Sequence, residues 1–160
     1  MSKTIYVVDG ARTPFLKAQK GPGVFAASDL ATQAGRALLL RQPFDPSDLD
    51  EVILGCAAQQ GTQGFNLGRL CTYTAGLPDT VAGMTIDRMC ASGLVAIATA
   101  AQGIMTGSLR IAVAGGMESM TNAPHLLNGS RTGIRYGNGE LVDHMAWDGL
   151  TNPYDGQAMG

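Results

Sequence analysis

The sequence predicts a layered α/β fold, and three observations carry that expectation. Short apolar, β-branched runs alternate along the chain with segments of helical periodicity, as in βα units. The segment 91–106 is apolar on every face, which calls for covering layers on more than one side and so for an architecture larger than a single open sheet. A cysteine, Cys90, stands at the junction between a strand-like run (81–87) and that helix-like segment, the place where an α/β fold presents a nucleophile.

Taken in order, residues 4–9 (Thr-Ile-Tyr-Val-Val-Asp) read as a buried strand ending at Gly10, with a turn at Arg12-Thr13-Pro14. Ser28 is a candidate N-cap for an amphipathic helix with Leu30, Ala31, Ala34, Ala37 and Leu38 on one stripe, Arg41 near its end and Pro43 as its stop. Asp45-Pro46 starts a short helical turn through Leu49, and residues 51–56 form a second core strand. A glycine-rich loop (Gly61, Gly64) leads to a helix over 66–75. The strand to Asp87, the apolar helix and a fourth strand over 110–114, ending in Gly115-Gly116, complete the unit. From Ser119 the spacing of Asn, Pro and Gly predicts a long irregular stretch until about 140–148, a feature that usually serves function or assembly. The chain is accordingly divided into an α/β domain, 1–119, and the beginning of a loop domain, 120–160. No internal repeat is present.

Composition narrows the function. With 160 residues, 45% of them hydrophobic and 15% charged, the chain reads as globular. Twenty-two glycines point to tight turns and close backbone approaches. A net charge of −2, with no interleaving of aromatics and basic residues, argues against nucleic acid as a partner. Three cysteines at uninformative spacing and two histidines argue for reduced thiols in a cytoplasmic setting and against a metal site. The run 91–106 is interrupted by Gln102, Gly103, Gly107 and Ser108, which argues against a membrane span, and Met1-Ser2-Lys3 leads straight into the first strand without signal-peptide features.

Cys90 lies in Asp87-Arg88-Met89-Cys90-Ala91-Ser92-Gly93. A cysteine in an apolar segment is by default a packing residue. At a helix start, however, unpaired N–H groups and the helix dipole favour the thiolate, and the small residues that follow allow a substrate carbon to approach the sulfur. Glu118 is a possible general acid, but a carboxylate in a glycine turn more often accepts backbone N–H groups. Met84, Met89, Met117 and Met120 read as core filler before they read as an acyl pocket. Arg131 and Arg135 read as solvated or as subunit contacts, and Cys56 and Cys71 as packing residues.

In order and spacing, Gly10-Ala11-Arg12-Thr13-Pro14, the 87–93 segment, Ala114-Gly115-Gly116-Met117-Glu118-Ser119-Met120, Ala123-Pro124-His125, Asp148-Gly149-Leu150-Thr151 and Met159-Gly160 together resemble the thiolases, the acetyl-CoA acetyltransferases and 3-ketoacyl-CoA thiolases. The resemblance implies the first half of a five-layer αβαβα fold and an acyl transfer between CoA thioesters through a Cys90 acyl-enzyme, with the Cys90 N–H in an oxyanion hole. It implies contacts of Leu150 and Met159 with the pantetheine arm of coenzyme A, which with acyl-CoA is a substrate and not a resident cofactor. It also implies a homodimer or homotetramer, with a dimer contact over 66–85, where Asn66 and Arg69 are structural, and a tetramer contact over 120–143.

The chain departs from the family pattern as well. The Gly-His-Pro, Cys-x-Gly and Asn-Glu-Ala-Phe-like segments of a second thiolase half do not occur in it, and the irregular segment makes His125 and His144 surface or interface residues, not substitutes for the missing base. Ala158 stands where acetyl-specific relatives often have His, and Asp87 where many members have Asn. The chain stops at Gly160 without a closing element, so it reads as an amino-terminal half, inactive alone. Two other readings stand beside this one: another Cys-dependent condensing enzyme of the fold, such as a ketoacyl synthase or hydroxymethylglutaryl-CoA synthase, and a non-catalytic thiolase fragment that acts in assembly or CoA binding.

Overall fold

The computed structural model describes residues 3–18 and 23–159, and Met1, Ser2 and Gly160 lie outside them. Its centre is a parallel sheet of β1 (Glu51–Gly55), β2 (Ala82–Ile86) and β3 (Ala112–Gly116), in the order β2-β1-β3. The central strand is a continuous apolar run because both its faces are covered, as parallel strands require. Its Val52 and Leu54 join the core formed with α1 (Ala27–Leu39) and α2 (Leu67–Thr74), while Ile53 points the other way, to Ala96 and Ala100 of α3 (Ser92–Thr106). The period-2 alternation of a strand thus sorts the helices onto two faces, giving an α/β layered fold. Gly55 pairs with Ile86 on one side and Gly116 on the other, so the three strands end level and their C-terminal ends form one rim. At the opposite end, the Asp50 carboxylate accepts the N–H groups of Arg110 and Ile111, which fixes the entry of β3 and holds that carboxyl below the usual range.

The structure corrects several expectations. Residues 4–9 form no strand, and Val7 is 88% exposed. Strand propensity measures fit to a pleated, half-buried surface, and this segment pairs with neither edge of the sheet. This segment is held instead by side chains, with Arg41 and Gln42 donating to Asp9. Among the described residues the parallel sheet therefore has three strands, not four. Helix α1 begins one residue before Ser28, with Ala26 at the N-cap and the Asp29 carboxylate, three residues on, accepting the Ala26 N–H at 3.1 Å. The stretch after Ser119 is more regular than its glycines suggest: β4 (His125–Leu127) pairs antiparallel with β5 (Leu141–Asp143). Three-residue strands are too short to show a period in sequence.

Among the described residues helix α3 is not covered on all sides. Ser92, Ala96 and Ala100, spaced four apart on one stripe, are buried against the sheet, whereas Leu94 is 71% exposed and Ile97 and Met105 are also exposed. The segment Met89–Thr106 is long and apolar enough by composition to cross a membrane, with a mean hydropathy of 1.4, yet its small-residue stripe lies on the sheet. Gly107 ends the helix with φ 85°, its N–H reaching Gly103 O and Ile104 O.

Candidate active site at the strand rim

Cys90 sits at the rim formed by the level strand ends. The chain leaves β2 at Ile86, turns through residues 87–91 and enters α3 at Ser92, so Cys90 immediately precedes the N-cap residue Ala91. Met89 has φ 51°, a conformation rare for a long side chain and one that persists only where the surroundings enforce it. Hydrogen bonds do so here. The Met89 N–H donates to Asp87 Oδ1 (2.8 Å) and the Arg88 N–H to Ser92 Oγ (2.7 Å), while the Ser92 hydroxyl and N–H both donate to Met89 O at 2.6 and 3.0 Å. Asp87, in the position where the resemblance expects Asn, thus shapes the turn through an oxygen that either residue would supply.

The helix start is pressed onto the rim by residues without side chains. A β-carbon at Gly55 would lie 2.3 Å from the Ser92 carbonyl carbon and 2.4 Å from the Gly93 nitrogen, and one at Gly116 would lie 3.3 Å from Gly93 Cα. The result is a strand, a strained turn and a helix with an exposed thiol at the bend, the arrangement that presents a nucleophile in α/β enzymes.

The other two thiols differ in kind. Cys56 and Cys71 are buried in the core on the α1–α2 face. Burial, and after it the Glu118 charge, pushes the Cys56 thiol up to about 12, and burial also raises Cys71, so both stay protonated at neutral pH.

Glu118, just after β3, accepts the backbone N–H groups of Ala57 (2.9 Å) and Ala58 (3.4 Å) on Oε2 and the Gln63 amide on Oε1 (2.6 Å). The Gln63 oxygen in turn accepts the Ser119 N–H at 2.7 Å, and its amide also donates to Ala58 O. Glu118 thus holds backbone, as the turn chemistry suggested. Gln63, buried in a glycine-rich loop, carries no signal in the sequence that would have singled it out. Asn66 caps α2, donating to Gly83 O and accepting the Thr85 hydroxyl at 2.7 Å, and Arg69 ties α2 to the backbone of Val81 and Asp79.

The hairpin at 150–159 brings Leu150 and Met159 together, with the Met159 N–H donating to Leu150 O at 2.8 Å and Thr151 bridging to Ala158. Among the described residues no hydrogen bond links this hairpin to the Cys90 turn. His125 is exposed on β4. His144 is buried, contrary to the expectation of a surface or interface residue, because it follows β5 under the 146–150 helical turn. Its Nε2 lies 3.2 Å from Asp148 Oδ2 but outside hydrogen-bond geometry, and neither ring nitrogen has a hydrogen-bond partner among the described residues. Neither histidine hydrogen-bonds to residues 87–92 among the described contacts.

The fold and the rim define an α/β protein with an exposed thiol at a strand-to-helix bend. Comparison with known proteins gives the family: residues 5–160 match the model described as thiolase, N-terminal domain, and the chain belongs to the thiolase family. It is 42% identical over 156 residues to an acetyl-CoA acetyltransferase of Schizosaccharomyces pombe, covering 98% of this chain and 39% of that protein. It is 43% identical over 157 residues to a probable acetyl-CoA acetyltransferase of Mycobacterium leprae, covering 98% of this chain and 40% of that protein. A beta-ketoadipyl-CoA thiolase of Pseudomonas aeruginosa is 40% identical over 144 residues, covering 89% of this chain and 35% of that protein. The chain thus spans 39% and 40% of the length of the first two curated relatives.

Proposed function

We propose that this chain supplies the nucleophilic part of a thiolase that transfers acyl groups between CoA thioesters, with Cys90 as the catalytic residue. The single observation that carries the reading is the contrast among the thiols: Cys90 is exposed at a strained strand-to-helix bend, and Cys56 and Cys71 are buried. In the proposed reaction the Cys90 sulfur attacks the carbonyl carbon of an acyl donor. The new C–S bond forms as the donor's bond to its leaving group breaks. That group is the CoA thiolate when acetyl-CoA is the donor, or the enolate of acetyl-CoA when a 3-ketoacyl-CoA is cleaved, and it leaves with a proton. The acyl group then passes to the second substrate, a CoA thiol in thiolysis or the enolate in condensation, and the thiolate is regenerated. The Cys90 N–H would bind the carbonyl oxygen as charge develops on it, and Leu150 and Met159, paired in one hairpin, would line the pantetheine path. Acid–base groups would come from outside residues 3–159, as would the cover for the exposed face of α3. A cytoplasmic setting, as expected for three reduced thiols, belongs to the same proposal.

Brief treatment with iodoacetamide followed by peptide mapping is expected to label Cys90 before Cys56 and Cys71. With the downstream thiolase sequence present, acetyl-CoA is expected to protect Cys90 by acylating it. Labelling of Cys56 or Cys71 first would make Cys90 a packing residue and remove the mechanism.

We also propose self-association of the assembled enzyme as a dimer or tetramer, with residues 66–85 at the dimer contact and 120–143 at the tetramer contact. The position of β2 at the edge of the sheet supports this, since an edge strand offers unpaired backbone groups. Sedimentation of the assembled enzyme at micromolar concentration is expected to give a dimer or larger, and a monomer would end the proposal.

A further inference from the structure

The network around Glu118 is larger than a turn needs. Its carboxylate takes two backbone N–H groups of the 57–58 segment and the buried Gln63 amide, and Gln63 returns a bond to Ser119. The loop 56–63 is thereby clamped to the chain leaving β3. That loop continues directly from Gly55, whose Cα faces the backbone of Ser92 and Gly93 with no room for a side chain. The Cys56 N–H donates to Ile86 O, the last residue of β2 before the cysteine turn, and the Met117 N–H donates to Gly55 O. Beyond the Glu118 carboxylate and the Gln63 side chain, the path to the Cys90 turn runs through backbone hydrogen bonds and close backbone contacts, with little slack.

We infer that Glu118 and Gln63 are positioning residues for Cys90, acting through the 56–63 loop and Gly55 on the start of α3. This rests on the reading of Cys90 as the thiolase nucleophile and assigns the strut that sets where its sulfur stands. A carboxylate suits the task because it only accepts hydrogen bonds, and it meets four donors: the Ala57 and Ala58 N–H groups, the Gln63 amide and, at 3.9 Å, the Cys56 thiol. The substitution Glu118→Gln keeps the shape but turns N–H against N–H at one of the two oxygens. Gln63→Leu keeps the volume and removes both the link to Glu118 and the link to Ser119.

The test is the rate of Cys90 alkylation by iodoacetamide in the 160-residue chain, followed by peptide mass and corrected for the folded fraction from far-UV circular dichroism. Leu77→Ala serves as the comparison, because Leu77 is buried in the α1–α2 core on the segment leading into the opposite end of β2, where truncation destabilises without touching the rim. Glu118→Gln and Gln63→Leu are each expected to slow Cys90 alkylation about threefold or more, because the thiol loses its fixed place before the helix start, while Leu77→Ala leaves the corrected rate unchanged. Unchanged rates in both rim variants, or an equal fall in Leu77→Ala, would overturn the assignment. Failure of the thiolase reading would appear separately, as absence of acetyl-CoA protection in the protein with the downstream thiolase sequence present, with the alkylation differences in the 160-residue chain intact.

Discussion

Cys90→Ser is expected to abolish acyl transfer by the assembled thiolase, lowering turnover by about a thousandfold or more, which corresponds to roughly 4 kcal/mol of barrier. The sulfur and the serine oxygen occupy nearly the same place at the bend, and the turn itself needs neither, since its hydrogen bonds come from Asp87, Arg88, Met89 and Ser92. The fold should therefore be untouched, with circular dichroism and thermal midpoint unchanged. What is lost is the sulfur nucleophile, because a hydroxyl is a far poorer nucleophile than a thiol at neutral pH. Acyl-enzyme detected by intact mass should disappear together with turnover. A serine variant that keeps a tenth or more of the activity would show that the acyl group is carried elsewhere.

Gly55→Ala is expected to be strongly destabilising for a single added methyl. The new β-carbon would lie 2.3 Å from the backbone of Ser92 and 2.4 Å from that of Gly93, and backbone cannot swing aside as a flexible side chain can. Helix α3 must lift from the rim, opening the contact of Ile53 with Ala96 and Ala100 and displacing the cysteine turn. Overpacking of this kind costs about 1–3 kcal/mol or more, a large share of a domain's margin of roughly 5–15 kcal/mol. Gly35→Ala provides the opposite sign: it lies within α1 with nothing within 4 Å of the added methyl, and helix propensity predicts a gain of about 0.5–1 kcal/mol. Urea unfolding of the two variants checks both, and a Gly55→Ala chain as stable as the native one would refute the close approach.

The amino-acid sequence by itself determined the α/β class, the strands at 51–55, 82–86 and 112–116 to within a residue or two, and the place of Cys90 between a strand and a helix. These are local properties: apolar runs of strand length, helical periodicity and turn residues act over a few neighbours and leave a visible pattern. The same local signal misled at residues 4–9, where β-branched residues predict a strand but no edge receives it. Tertiary structure alone decided which residues meet across the chain. It set the positive φ of Met89, made Gly55 and Gly116 the bed of the helix start, and buried Gln63 and His144 in stretches whose composition reads as loop. It joined Glu118 to the 57–63 loop across more than fifty residues of sequence. It also divided α3, uniformly apolar in sequence, into a stripe of small residues on the sheet and a face left open. Burial and long-range hydrogen bonding depend on how separate segments pack, and a pattern of side chains along one segment does not contain the position of another.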